Sequence, residues 1–130
     1  MAHYLDTSAL VKLVVAEPET QALRNWLFSA DRLPVSSDLA RTELLRAVRR
    51  AAPEQVVQAR AVLGSITLMR ISTAGFDEAG RLHPTTLRTL DAVHLAAALA
   101  LGDDLDSVVT YDDRLAEAAR LNGVQVTSPR

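Results

Sequence analysis

The sequence contains no cysteine. That excludes a disulfide framework, a zinc knuckle, an iron–sulfur site and a thiol nucleophile, and it accords with a reducing cytoplasm. Aromatic side chains are few (Tyr4, Trp26, Phe28, Phe76 and Tyr111), too few for a platform that stacks single-stranded bases. No apolar run approaches the ~20 residues of a membrane span, so no membrane association is expected. The opening Met1-Ala2-His3-Tyr4-Leu5-Asp6 lacks a basic n-region and puts an acid where a signal peptide needs an apolar core, predicting an unexported, soluble protein. Nor is there an excess of one charge: 14 basic against 16 acidic residues leave a formal −2. Wholesale electrostatic attraction to nucleic acid is thereby excluded, and any handling of RNA must rely on local patches. Repeats, low-complexity segments and dividing linkers are also missing, and the prolines (18, 34, 53, 84, 129) stand at plausible element edges.

What is present is an ordinary globular composition, 48% hydrophobic and 23% charged over 130 residues. A chain of that length forms one domain and buries roughly two thirds of its unfolded surface. Residues 2–5 read as a buried strand ending at Asp6, followed by helices over Ser8 to Val15 and Glu19 to Phe28. Pro34 to Ser37 is a second strand, and Asp38 is placed to N-cap a helix running to Ala51. Pro53 suits the first turn of a further helix that Gly64 stops after Leu63. A strand over Ile66 to Ile71, a helix over 73–82 and a loop to Thr89 follow. Then come a helix from Leu90 to Leu101 closed by Gly102, a strand from Ser107 to Thr110, a helix from Asp113 to Leu121 and a strand from Val124 to Thr127. This alternation predicts an α/β domain with a mostly parallel sheet. In such sheets sites form at the carboxyl ends of strands, where strand order reverses, which draws attention to Asp6 and Asp112.

Each acid has two readings. Asp6 heads Asp6-Thr7-Ser8, three capping residues in a row, so it is either an N-cap or a carboxylate presented at the sheet edge with the Ser8 hydroxyl beside it. Glu43 borders the expected buried face Ala40, Leu44, Ala47, Val48 and Ala51; it is either a surface partner of Arg46 or a site residue. Asp91 opens the apolar run Ala92 to Leu101 and is either that helix's cap or functional, while His94 is either a satisfied core histidine beside the site or a ligand. Of Asp112 and Asp113, one caps the next helix and the other is free for chemistry; Asp103, Asp104 and Asp106 read as a solvated turn. Clustered carboxylates repel and need a cation, and a hard divalent ion with oxygen ligands supplies one.

Four pieces, in order, carry a resemblance: Leu5-Asp6-Thr7-Ser8-Ala9-Leu10, Thr42-Glu43-Leu44, Leu90-Asp91-Ala92-Val93-His94-Leu95-Ala96-Ala97-Ala98, and Val109-Thr110-Tyr111-Asp112 with Leu115, Ala118 and Ala119 beyond it. Over its whole length the chain resembles the PIN-domain ribonucleases, specifically the VapC toxins of bacterial toxin–antitoxin pairs. The resemblance implies a three-layer α/β/α fold with a five-stranded sheet ordered 3-2-1-4-5. It also implies a catalytic acidic set of Asp6, Glu43, Asp91 and Asp112, with Asp6, Asp91 and Asp112 as ligands of Mg²⁺ or Mn²⁺. Ser8 and Thr110 match the hydroxyl positions beside the metal, with Asp113 as an extra acid.

The activity so implied is metal-dependent cleavage of structured RNA (transfer or ribosomal), leaving a 3′-hydroxyl and a 5′-phosphate. A small VapB-like antitoxin would silence it, and the toxin would form a homodimer. Positive charge for RNA is sought in Arg41, Arg46, Arg49 and Arg50, whose helix face is either an RNA patch or merely solvated, and in Lys12 and Arg88. Two rivals stand against this reading. One is a catalytically silent RNA- or partner-binding domain, which has little use for four acids. The other is a receiver-like phosphoacceptor, which needs paired acids after strand one and an acid after strand three; here Asp6 is followed by Thr7 and strand three ends Arg70-Ile71-Ser72.

Overall fold

A computed structural model describes residues 1–130. Five parallel strands form one sheet in the order β3-β2-β1-β4-β5: β1 (Ala2–Leu5), β2 (Leu33–Ser37), β3 (Thr67–Met69), β4 (Leu105–Val109) and β5 (Val126–Thr127). Helices α1 (Thr7–Lys12), α2 (Thr20–Phe28), α3 (Leu39–Ala51) and α4 (Val56–Ser65) share one core with one sheet face. Helices α5 (Thr73–Arg81), α6 (Thr89–Leu99) and α7 (Asp113–Leu121) complete the opposite layer. Every strand is parallel to its neighbours, so each crossover must bring a helix over one face.

The strand period of two divides the core. Leu5 and Val109 point toward α1–α4, where Leu10, Leu23, Leu44 and Val48 pack on them. Tyr4 and Val108 point the other way, onto Ala97 and Ala98 of α6. Because both faces are covered, every residue of β1 is buried. Helix α6 is buried continuously from Ala92 to Ala98, as its all-round apolar sequence requires. Its alanines let it lie close against the sheet.

Several local expectations are corrected. Helix α4 runs through Gly64 to Ser65; a side chain there would meet nothing within 4 Å, and the helix ends where Ile66 turns extended into the sheet. Pro53 starts a short 3₁₀ turn, with the α-helix beginning only at Val56. Helix α1 stops at Lys12, short of Val15, because the chain must turn there: Thr20 Oγ1 donates to the Lys12 carbonyl at 2.8 Å. Asp38 precedes α3 in helical conformation and makes no cap; its carboxylate takes Arg41 instead. On α3 itself Ala40, Leu44 and Val48 are buried, whereas Ala51 is exposed. Helix α6 ends at Leu99 with Ala100 as its cap, so Gly102, at φ +56, opens a short 3₁₀ turn instead of closing the helix, and β4 begins at Leu105, inside the expected acidic turn. Asp106 is also not simply solvated, since it lies 3.5 Å from His3 Nδ1.

Candidate active site

Strands β1 and β4 are neighbours although β2 and β3 lie between them in the chain; their carboxyl ends therefore meet where the strand order reverses. Asp6 leaves β1 with its N–H on the Val109 carbonyl at 3.2 Å. Its carboxylate caps α1: Oδ1 accepts from Ala9 N at 3.0 Å and from Ser8 Oγ at 2.7 Å. Oδ2 accepts from Thr110 Oγ1 at 2.6 Å. Ser8 and Thr110 are tied in turn to the chain beyond β4, Ser8 Oγ accepting from Tyr111 N and Thr110 Oγ1 from Asp112 N. The two hydroxyls thus lace the end of β1 to the end of β4. Burial raises the Asp6 carboxyl above its usual range, and the bonds from Thr110 and Ser8 only partly offset it.

Glu43 does not pair with Arg46. It turns inward from α3, where Thr7 Oγ1 donates to its Oε1 at 2.7 Å and His94 Nε2 reaches the same oxygen at 2.5 Å. A carboxylate has no proton to offer, so His94 Nε2 carries the hydrogen. His94 is buried, and the Tyr4 hydroxyl stands 2.8 Å from both its Nδ1 and Ser37 Oγ, with one proton to share between them. Burial raises the Glu43 carboxyl, but the bonds from His94 and Thr7 outweigh it and hold it below the usual carboxylate range. Both bonds fall on Oε1, which leaves Oε2 without a hydrogen-bond partner.

Asp91 and Asp112 arrive from α6 and from the loop after β4. Asp91 is no cap: it sits in the first turn of α6, where its charge suits the helix dipole. Asp112 is one, its Oδ1 accepting from Arg114 N and Leu115 N. Of the Asp112-Asp113 pair it is Asp112 that caps the helix, through Oδ1 alone, which leaves its Oδ2 for another contact. Asp112 Oδ2 takes Arg88 Nη2 at 2.7 Å, while Asp91 Oδ2 takes Arg88 Nε at 2.9 Å. Asp113 is exposed and lines a shallow groove with Thr86 and Glu117, apart from these contacts.

The structure thus draws Asp6, Ser8, Thr110 and Asp112 into one bonded network, Glu43 into a second with Thr7 and His94, and Asp91 onto Asp112 through Arg88. As the side chains stand, no three acids or histidines enclose a space fit for an ion. The basic candidates separate. Arg46, Arg49 and Arg50 form an open concavity on α3, and Arg41 borders another with Arg60. Lys12 is buried, its Nζ 2.9 Å from Glu19 and over the Tyr111 ring. Sequence reasoning missed Thr7 and Tyr4. Thr7 stood within the singled-out Asp6-Thr7-Ser8, but the partner that gives it a role lies 36 residues away.

Comparison with known proteins gives the same answer as the geometry. The model of the PIN domain matches residues 3–121. The chain is 47% identical over 129 residues to Ribonuclease VapC46 of Mycobacterium tuberculosis, covering 98% of each. The fold superposes on VapC20 of Mycobacterium tuberculosis, described as a sarcin-ricin loop cleaving toxin, with a TM-score of 0.76 at 16% identity over 89% of this chain and 94% of that one. It superposes on a chain of a toxin-antitoxin complex from Klebsiella pneumoniae with a TM-score of 0.75 at 19% identity over 98% of both. Parallel strands ordered 3-2-1-4-5, acids gathered at the β1/β4 switch point and near half identity to a named ribonuclease agree: the chain belongs to the PIN-domain family, among its VapC ribonucleases.

Proposed function

We propose that this chain is the toxin of a type II toxin–antitoxin pair, working as a single PIN-like domain over residues 1–130. In this reading it is a Mg²⁺-dependent endoribonuclease, with Mn²⁺ able to substitute, that cuts structured transfer or ribosomal RNA to leave a 3′-hydroxyl and a 5′-phosphate. The observation that carries it is the convergence of Asp91 and Asp112 on a single cation beside the hydroxyl-laced Asp6. A pure binding module has no need to link acids from β1, α6 and the loop after β4 at the carboxyl ends of the two central strands.

The donor set fits a hard divalent ion, being all oxygen and without sulfur. Asp6, Asp91 and Asp112 would hold it. Bound there, the ion would supply positive charge toward the scissile phosphate and would lower the pKa of a nearby water. Glu43, kept ionised and fixed by His94 and Thr7, offers Oε2 as proton acceptor. Ser8 and Thr110 hold the Asp6 carboxylate in one orientation. Arg46, Arg49 and Arg50 supply phosphate contacts away from the acids, with Arg41 at their border. Lys12 serves α1 and Tyr111 rather than RNA. The partners are a small VapB-like antitoxin and a second copy of the chain.

The reading is tested by mapping RNA 5′ ends after brief expression in cells, for the wild type and for Asp91→Asn. Discrete new 5′ ends that the variant abolishes support it. Cleavage that persists in excess EDTA, with contaminating metal excluded, defeats the metal mechanism; cleavage that survives Asp91→Asn defeats the acidic site.

A further inference from the structure

Arg88 is the N-cap of α6 but makes no capping bond; its guanidinium reaches back across the cleft instead. Nε donates to Asp91 and Nη2 to Asp112, two acids that come from different elements. Exposed ion pairs of one acid and one base count for little. This one is different in kind, because a single cation ties together two carboxylates from different elements, each through an Oδ2 that has no other hydrogen-bond partner. A guanidinium that bridges two carboxylates occupies the place a divalent ion would take between them. The bridging oxygens, Oδ2 of both acids, are among those the proposed metal site requires.

We propose that Arg88 is a built-in counter-ion that competes with the divalent metal: it neutralises Asp91 and Asp112 while the site is empty and must swing out for the ion to enter. The inference rests on the metal reading given above. Competition has a thermodynamic consequence. An ion that must displace Arg88 binds with its intrinsic affinity reduced by the strength of the two ion pairs, and removing the competitor removes that reduction. It also has a structural one, since Arg88 and the ion cannot both hold the two Oδ2 atoms. The side chain is free to leave, being more than half exposed with no other partner. A guanidinium so released is then available to a phosphate, which couples RNA binding at Arg88 to metal entry.

The test is calorimetric titration of the whole protein with Mn²⁺ and observation by NMR of the Arg88 Nε–H signal during titration with Mg²⁺, without RNA. Arg88→Gln should bind Mn²⁺ about tenfold tighter than the wild type, within the range of ordinary coupling between sites. The Arg88 Nε–H signal should shift or vanish by exchange with water as Mg²⁺ saturates. Unchanged or weaker Mn²⁺ affinity in Arg88→Gln overturns the proposal, as does an Nε–H signal unmoved at saturation. Arg88→Lys, which keeps the charge but cannot bridge two carboxylates in a fork, should also bind more tightly than wild type; affinity equal to wild type would mean that charge, not occupancy, governs the site. Asp6→Asn separates the two levels. If it leaves Mn²⁺ affinity intact, the metal reading itself fails, whereas if it abolishes binding and Arg88→Gln does nothing, only the competition fails.

Discussion

Asp6 and Glu43 are both carboxylates at one site, yet their surroundings push them in opposite directions. Asp6 is raised above the 3.8 of a free side chain because burial outweighs its hydrogen bonds. The folded state therefore takes up its proton before the unfolded chain does, and this residue's contribution to stability rises as the pH falls toward 3.8. Glu43 is lowered below 4.5, so its contribution is present above that pH and is lost as the pH falls through the folded value. Asp6→Asn should thus leave metal-free stability level or raised: the amide oxygen keeps the cap on Ala9 N, and Thr110 Oγ1 can accept from the amide nitrogen. Glu43→Gln should cost about 1 kcal/mol, the worth of a hydrogen bond to a charged acceptor once partial exposure is allowed for. Both should abolish RNA cleavage. Urea denaturation in EDTA across the acid range checks the two signs, and an Asp6→Asn variant destabilised like Glu43→Gln would contradict this account. Asp112→Asn should stop cleavage although Asn caps nearly as well, while Asp113→Asn, exposed and unbonded, should change neither activity nor stability. Asp6 and Asp112 were legible in the sequence because topology puts the strand ends together, whereas Thr110 was reached only through the family resemblance and Ser8 through that and its place beside Asp6. The posture of Glu43 was not, since its fixing partner His94 lies 51 residues away and a helical surface glutamate beside an arginine reads as an ion pair.

At the scale of elements, β1 is pinned to β4 at both ends by side chains of different kinds. The carboxyl end has the Asp6 lacing; the amino end has His3, whose Nδ1 meets Ser107 Oγ at 2.9 Å while its ring abuts Trp26 of α2 edge-on. Burial pushes the His3 pKa below 6.5, against the opposing pull of Asp106. The unfolded chain therefore binds a proton that the folded protein resists, and stability should fall as the pH drops below about 6.5, before the carboxylates titrate. Urea midpoints at about pH 7.5 and about pH 5.5 measure that fall, and His3→Gln should flatten it; an equal fall in the variant would place its origin elsewhere. The sequence disclosed all the strands and long helices, because buried parallel strands and amphipathic helices have distinct periods. It misplaced ends where a local signal and the tertiary contact disagree. Gly64 signals a stop but pays no steric penalty inside α4, so the sheet contact of Ile66 and Leu68 sets the end. Asp38 signals a cap, but its N–H is committed to the Met69 carbonyl and its carboxylate to Arg41.

For the whole molecule, the layer α1–α4 carries the two most exposed large apolar side chains. Phe28 at the end of α2 is 84% exposed and Val57 on α4 is 79% exposed. Between these helices lies a groove of about 590 Å³ whose lining includes Leu27, Phe28, Val62 and Ile66. A large aromatic ring left almost wholly in water gains roughly 1.5–3 kcal/mol on full burial. A two-fold interface counts each such residue twice, since the same patch faces itself. The proposed homodimer, formed through the helical pairs of residues 8–28 and 38–63, would take up that surface. Sedimentation equilibrium at tens of micromolar should then return twice the 14.1 kDa of the chain. Phe28→Asp combined with Val57→Asp should return the single mass. Because both side chains are exposed within one chain, those changes should each move its own unfolding free energy by no more than about 0.5 kcal/mol. Loss of the dimer with folding preserved is therefore the expected result. A wild-type protein that sediments only as a monomer removes the dimer from the proposal, and a double variant that still dimerises moves the interface to another face.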